Sequence, residues 1–229
     1  MCHGYFFHGG LLHENGTHKV LERFVTPGSV FVDVGANVGY FSLMAARLCG
    51  PQGKVIAIEP SPAAVRLLRL NLDNVAHAEI VEKAAGDSHG AVRFFVRKNG
   101  DMSSLEYEHG LQSVLVEIDA LDQLLAGQER IDFIKIDVEG FERDVLSGAS
   151  RVIAKHRPII YFEFIEQFAQ RLGFGLEDFK RQLQPLNYTL LWANNDPTER
   201  VCFGAVPSTY VAAMPNERLG DVAVIAATP

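Results

Sequence analysis

Phe31-Val32-Asp33-Val34-Gly35-Ala36-Asn37-Val38-Gly39-Tyr40-Phe41 is the stretch whose reading decides the fold. It opens as an apolar run rich in β-branched residues, the pattern of a buried parallel strand, and passes through two glycines into a segment with helical periodicity. Gly35 and Gly39 permit a tight turn and a close approach of backbone to ligand, and the N–H groups at the helix start suit oxygen acceptors. Asp33 stands at the end of the strand. Together these residues describe a strand, a turn and a helix built around a bound molecule.

A chain of 229 residues, 48% of them apolar, can bury a sizeable core. It suits one α/β domain, with 1–28 as an N-terminal arm or lid and 29–229 as the core. The formal net charge of −7 and the absence of a dense Lys/Arg cluster exclude an affinity resting on nucleic-acid phosphates or anionic lipid. Cys2, Cys49 and Cys202 are scattered and lack metal-ligand spacing, so they read as reduced thiols of an intracellular, cytoplasmic protein. His3, His8, His13 and His18 are spaced irregularly, which fits an arm better than a metal site. No signal peptide and no membrane span are expected, because no apolar run approaches about 18 residues.

Outward from the opening stretch, residues 19–25 read as a short helix stopped by Thr26-Pro27-Gly28, and the first strand as 29–34. A helix over 38–49 is ended by Gly50-Pro51. Strand 54–58 follows, ending in Glu59-Pro60, then a helix over 62–72 with Ser61 as its cap and Pro62 in its first turn. A third strand near 78–83 leads into Ala84-Ala85-Gly86-Asp87. This β-α-β-α-β order with right-handed crossovers gives a parallel sheet with helices on both faces. Residues 91–118 break the rhythm and read as a small β-rich insertion, with Ser103 and Ser104 placed to touch a substrate. The fourth core strand is 131–137, followed by helices near 141–147 and 148–156 and a strand over 158–164 that carries Glu163. Helices near 166–172 and 176–184 precede strands near 188–193, 200–206 and 221–227, which complete the sheet with antiparallel pairing.

Asp33, Glu59, Asp87 and Asp137 all fall at carboxyl ends of strands, where an open α/β sheet binds its ligand. Glu59, one βαβ repeat beyond the glycine turn, is placed to accept hydrogen bonds from ribose hydroxyls. The dinucleotide spacing Gly-x-Gly-x-x-Gly is absent, and Asp-x-Gly-x-Asn-x-Gly stands in its place. A pyrophosphate seeks a helix start free of carboxylates, whereas Asp33 suits a ligand with a positive group. S-adenosylmethionine, with an ammonium, a sulfonium and a ribose, meets that requirement. A nicotinamide-dependent oxidoreductase and a non-catalytic nucleotide-binding domain are the alternatives the same architecture leaves open.

Val32 to Tyr40, Glu59-Pro60-Ser61-Pro62, Ala84 to Asp87, Ile134-Lys135-Ile136-Asp137-Val138-Glu139-Gly140-Phe141-Glu142 and the late Glu163 resemble, in that order, the motifs of the FkbM-type methyltransferases. The resemblance implies a class I, Rossmann-like fold. It is doubly wound, with a mostly parallel seven-stranded sheet, an antiparallel C-terminal strand and the insertion near 91–118. It also implies S-adenosylmethionine as cofactor and methylation of a hydroxyl on a sugar or natural product. Asp33, Gly35, Asn37 and Gly39 would surround the methionine moiety, with Ala36, Tyr40 and Pro60 completing the two loops. Glu59 would meet the ribose, Ala85 and Asp87 the adenine edge, and Asp137 would lie near the reactive methyl. An alcohol acceptor must lose its proton as the bond forms, and Lys135, Asp137, Glu139 and Glu163 are the candidates to assist. The expected partner is a small hydroxylated acceptor, without nucleic acid, membrane or metal, and self-association is left open.

Overall fold

The structure, a computed structural model, describes residues 10–96, 112–195, 201–204, 209–222 and 224–225. Residues 1–9, with Cys2, His3 and His8, lie outside the described part of the chain, as do Ser103 and Ser104 and most of the turn expected at 194–199.

The opening stretch folds as expected. β1 (Val30–Val34) turns through Gly35–Gly39 into α2 (Tyr40–Cys49), whose buried positions Ser42, Ala45, Ala46 and Cys49 repeat at helical spacing. β2 (Lys54–Ile58) leads to α3 (Pro62–Leu72), where the Ser61 hydroxyl accepts from the Ala64 N–H at 3.4 Å and Pro62 occupies the first turn. β3 (Ala78–Val81) ends this half of the sheet. The chain then returns to the other side of β1 through β7 (Phe133–Ile136) and β8 (Ile159–Glu163). In between lie β4 (Ala84–Gly86), β5 (Gly90–Val96), β6 (Gln112–Ala120) and the short α4 (Leu121–Leu124). Strand order therefore reverses between β1 and β7, the point at whose carboxyl ends open α/β sheets bind their ligands.

After α5 (Glu142–Ser147), α6 (Ser150–His156), α7 (Glu166–Arg171) and α8 (Leu176–Leu183), the sheet is completed by β9 (Tyr188–Asn195), β10 (Val201–Gly204), β11 (Tyr210–Pro215) and β12 (Val224–Ile225). The order across the main sheet is β12-β10-β9-β11-β8-β7-β1-β2-β3. The seven-stranded arrangement is its inner part, with the antiparallel β11 inserted between β8 and β9, and β10 and β12 extend one edge. Of the strand expected over 221–227 the described residues show Val224–Ile225, and the strand that fills the middle is β11, over 210–215. Its Val-Ala-Ala-Met run is buried on both faces and carries neither alternation nor strong β propensity, so local pattern does not mark it.

Helix α1 (Gly10–Phe24) begins well before residue 19 and takes up much of the segment expected to be an arm. Val20, Leu21 and Phe24 pack with Phe31, Phe133 and Tyr161 on one face of the sheet, beside α2. Val32, Val34, Ile134, Ile136 and Phe162 point the other way, into the cluster covered by α5, α6 and α8. Strand alternation thus assigns each residue of β1 and β7 to one of the two cores.

The insertion is a second sheet of order β4-β6-β5, with β5 and β6 antiparallel and β4 parallel to β6. Gly148, at the end of α5, packs on it so tightly that a Cβ there would meet the Gly86 carbonyl oxygen at 1.8 Å. Gly148→Ala should therefore cost about 1–3 kcal/mol by overpacking. Gly127→Ala, with no atom within 4 Å of its Cβ, should stay within about 0.5 kcal/mol of wild type. Urea unfolding of the two variants measures the contrast.

Candidate active site

Register assembles the site. Asp33, Lys135 and Tyr161 are successive partners across β1, β7 and β8, so their side chains stand in one row on one face. Two residues further along β7 and β8 come Asp137 and Glu163, and Glu163 is paired with Tyr210 on β11. Four of the acids and bases expected from sequence thus come together at the switch point and its neighbouring strand.

Lys135 lies at the centre and is 2% exposed. Its Nζ donates to Asp137 Oδ2 at 3.1 Å, sits 3.6 Å from Asp33 Oδ1, and lies 5.0 Å from the centre of the Phe41 ring. Burial alone would push the ammonium down, but the Asp137 and Asp33 carboxylates outweigh it and hold Lys135 above the ordinary lysine range. Asp33, 1% exposed, accepts from the Ser42 hydroxyl at 2.7 Å through Oδ2. Its other oxygen, Oδ1, is buried without a hydrogen-bond donor among the described residues.

The glycine turn is shaped by packing as much as by ligand approach. Gly35 has φ of 78°, and a Cβ on it would meet the Asp137 carbonyl oxygen at 1.9 Å, so glycine there lets the β1 turn close on the end of β7. A Cβ on Gly39, at φ 89°, would meet Leu68 of α3 at 2.5 Å. The N–H groups of Gly35 and Ala36 both donate to the Ile58 carbonyl, that of Gly39 donates to Ala36, and that of Asn37 to Glu59 Oε2 at 2.8 Å. These four amides are engaged within the protein. Glu59 also accepts from the Ser61 N–H at 2.8 Å, so its carboxylate staples the two loops together and keeps acceptor capacity on each oxygen. Burial pushes its carboxyl up, against the pull of those two N–H donors.

Beyond β7, Glu139 and Gly140 turn the chain with φ of 57° and 106°. Glu142, 4% exposed at the start of α5, reaches back to accept from the N–H groups of Val138 at 3.0 Å and Gly140 at 3.1 Å. Burial pushes its carboxyl up to about 7 despite those bonds. Glu163 is pushed up to about 9 by burial and by Asp137, Glu139 and Glu142 around it. Gly140, Glu142 and Glu163 line a small recess whose other wall includes Phe164, Phe168 and Phe174.

Not every expected residue joins this group. Ala36 packs its side chain into the small core with Ala57 and Leu68, and Ala85 is buried among Ile56 and Ile58. Asp87 is exposed at the end of β4, in the second sheet. Conversely, Ser42, Glu142, Tyr161 and Tyr210 belong to the site without having been singled out. Ser42 had a signal, as a hydroxyl in an otherwise apolar helical stripe. Glu142 had another, as an acid just past a Gly turn. The two tyrosines become neighbours only through strand pairing. Replacing Lys135 alone by methionine should destabilise the fold by about 3–5 kcal/mol, since two carboxylates lose their counter-charge. Adding Asp33→Asn and Asp137→Asn should recover most of that loss in denaturant titrations.

The methyltransferase FkbM domain model matches residues 33–189. Methyltransferase sdnD of Sordaria araneosa is 28% identical over 207 residues, covering 71% of this chain and 80% of its own. The 2-O-methyltransferase NoeI of Sinorhizobium fredii is 28% identical over 169 residues, covering 65% of this chain and 68% of its own. In fold, the chain is similar to a crystal structure of a methyltransferase FkbM from Methylobacillus flagellatus, with TM-score 0.56 and 18% identity, over 91% of this chain and 46% of that one. With the switch-point cluster, the Glu59 staple and the matched stretch taken together, the chain belongs to the FkbM family of S-adenosylmethionine-dependent methyltransferases.

Proposed function

We propose that the protein transfers a methyl group to a hydroxyl of a small sugar-like or natural-product acceptor. Family membership sets aside the nicotinamide reading. The cofactor suits the residues present: the carboxylates of Asp33 and Asp137 share a single lysine cation and so leave net negative charge beside the glycine turn, which suits a cationic group, and Glu59 retains acceptor capacity at the ribose position. When bound, S-adenosylmethionine supplies a methyl carbon activated by a sulfonium.

The observation that carries O-methylation is Glu163. It ends β8 next to the Asp137 position, lines the recess, and holds a proton far more strongly than an ordinary carboxylate. A carboxylate of raised proton affinity is suited to take the proton of an acceptor hydroxyl as the new bond forms. Lys135 is unsuited to that role, because an ammonium held charged between two carboxylates has no lone pair to offer. We assign it instead to holding Asp33 and Asp137 in place, and we assign Asp137 and Glu139 to the rim facing the methyl donor. The name of NoeI, a 2-O-methyltransferase, supports the same chemistry.

Incubation with methyl-labelled S-adenosylmethionine and a panel of hydroxylated sugars and polyketide-like alcohols tests the reading. Label should appear as an ether, and label found only on amines, or no transfer at all, would count against it. Because Glu163 must be ionised to accept a proton, turnover should climb as pH rises toward about 9. Glu163→Gln should lose that limb and run about a hundredfold or more slower. An unchanged profile in that variant would remove Glu163 from the chemistry.

A further inference from the structure

Helix α1 lies outside the stretch that the family model matches, yet two adjacent side chains on it reach the site from different directions. Thr17 is fully buried, and its hydroxyl is 3.3 Å from that of Tyr161, the third member of the Asp33–Lys135 row. Tyr161 in turn stacks on Tyr210 at 5.0 Å and 7°, beside Glu163. His18, one position on, points about 100° away around the helix. Its Nε2 is 2.5 Å from the Tyr40 hydroxyl, and its ring stacks on Tyr40 at 5.3 Å and meets the edge of Phe41 at 5.9 Å.

Those contacts land on the residues that carry the cofactor loop into α2. Tyr40 and Phe41 follow directly on Gly39, the Phe41 ring lies against the Lys135 ammonium, and Ser42 donates to Asp33. The body of α1 is anchored without them, through Val20, Leu21 and Phe24 in the core. A helix serving only to cover the sheet would need no polar grip on this loop.

We infer that His18 is a positioning residue for the cofactor. By fixing the rings of Tyr40 and Phe41 it holds the 35–41 loop in the form that receives the methionine end of S-adenosylmethionine, and so couples cofactor occupancy to the docking of α1. The inference rests on the cofactor site lying at this loop. It adds a residue outside the stretch that the family model matches and gives helix α1 a part in ligand binding.

Calorimetric titration of the full chain with S-adenosylhomocysteine tests it. His18→Ala should weaken binding about five- to tenfold, the loss expected for one hydrogen bond with its stacking contact. Tyr40→Phe removes a single oxygen and tests the same contact should the alanine variant fold poorly; the double variant should be no weaker than the worse of the two singles. His18→Gln, which keeps a hydrogen-bonding group, should recover part of the affinity. Amide exchange over residues 16–24 should slow when the ligand is added to wild type, and should not respond in His18→Ala. Binding by His18→Ala within twofold of a wild type that binds well would overturn the inference and leave the cofactor site standing. Strictly additive losses in the double variant would do the same, and no binding by wild type would overturn both.

Discussion

The buried Lys135 ammonium between Asp33 and Asp137 is the constraint on which the rest of the structure depends. Taking three charged groups out of water costs several kcal/mol each, and their attraction offsets that only when the geometry is held closely. Much of the surrounding architecture supplies that hold. Hydrogen bonds between β1 and β7 set Asp33 and Lys135 side by side, Ser42 of α2 satisfies one Asp33 oxygen, and Phe41 covers the ammonium. Gly35 is needed because the turn after β1 must close against the backbone of Asp137 itself. The strand reversal, the glycine turn and α2 are therefore parts of one solution to a single electrostatic problem.

The same cluster divides the switch point electrically. On the β1 side two carboxylates share one lysine cation, which leaves net negative charge, a setting that attracts positive charge. On the β8 side Glu142 and Glu163 crowd together, burial favours their protonated forms, and phenylalanine rings line the recess.

How much of this could be read from residues alone follows from where the information resides. β1, α2, β2 and α3 carry their own signals: a β-branched run, a helical stripe, glycine stops and the Ser61-Pro62 start. Asp33, Glu59, Lys135, Asp137 and Glu163 were legible because each stands at or near the carboxyl end of a recognisable strand. Legibility failed where a residue's role is set by a distant segment. β11 is shaped by burial on both faces, so its alanines give no period. Tyr161 and Tyr210 become site residues only through pairing across β8 and β11, and Thr17 and His18 only through the packing of α1. The pairing of β4, which carries Ala85 and leads into Asp87, is likewise set by a distant segment, β6, more than thirty residues later.

A crystal structure with S-adenosylhomocysteine tests most directly whether the ligand straddles the carboxyl ends of β1 and β7. It should show the ribose hydroxyls within about 2.6–3.2 Å of the Glu59 carboxylate and the sulfur over the end of β7 beside Asp137. A ligand bound elsewhere on the sheet, or a Glu59 that makes no contact with the ribose, would contradict that placement.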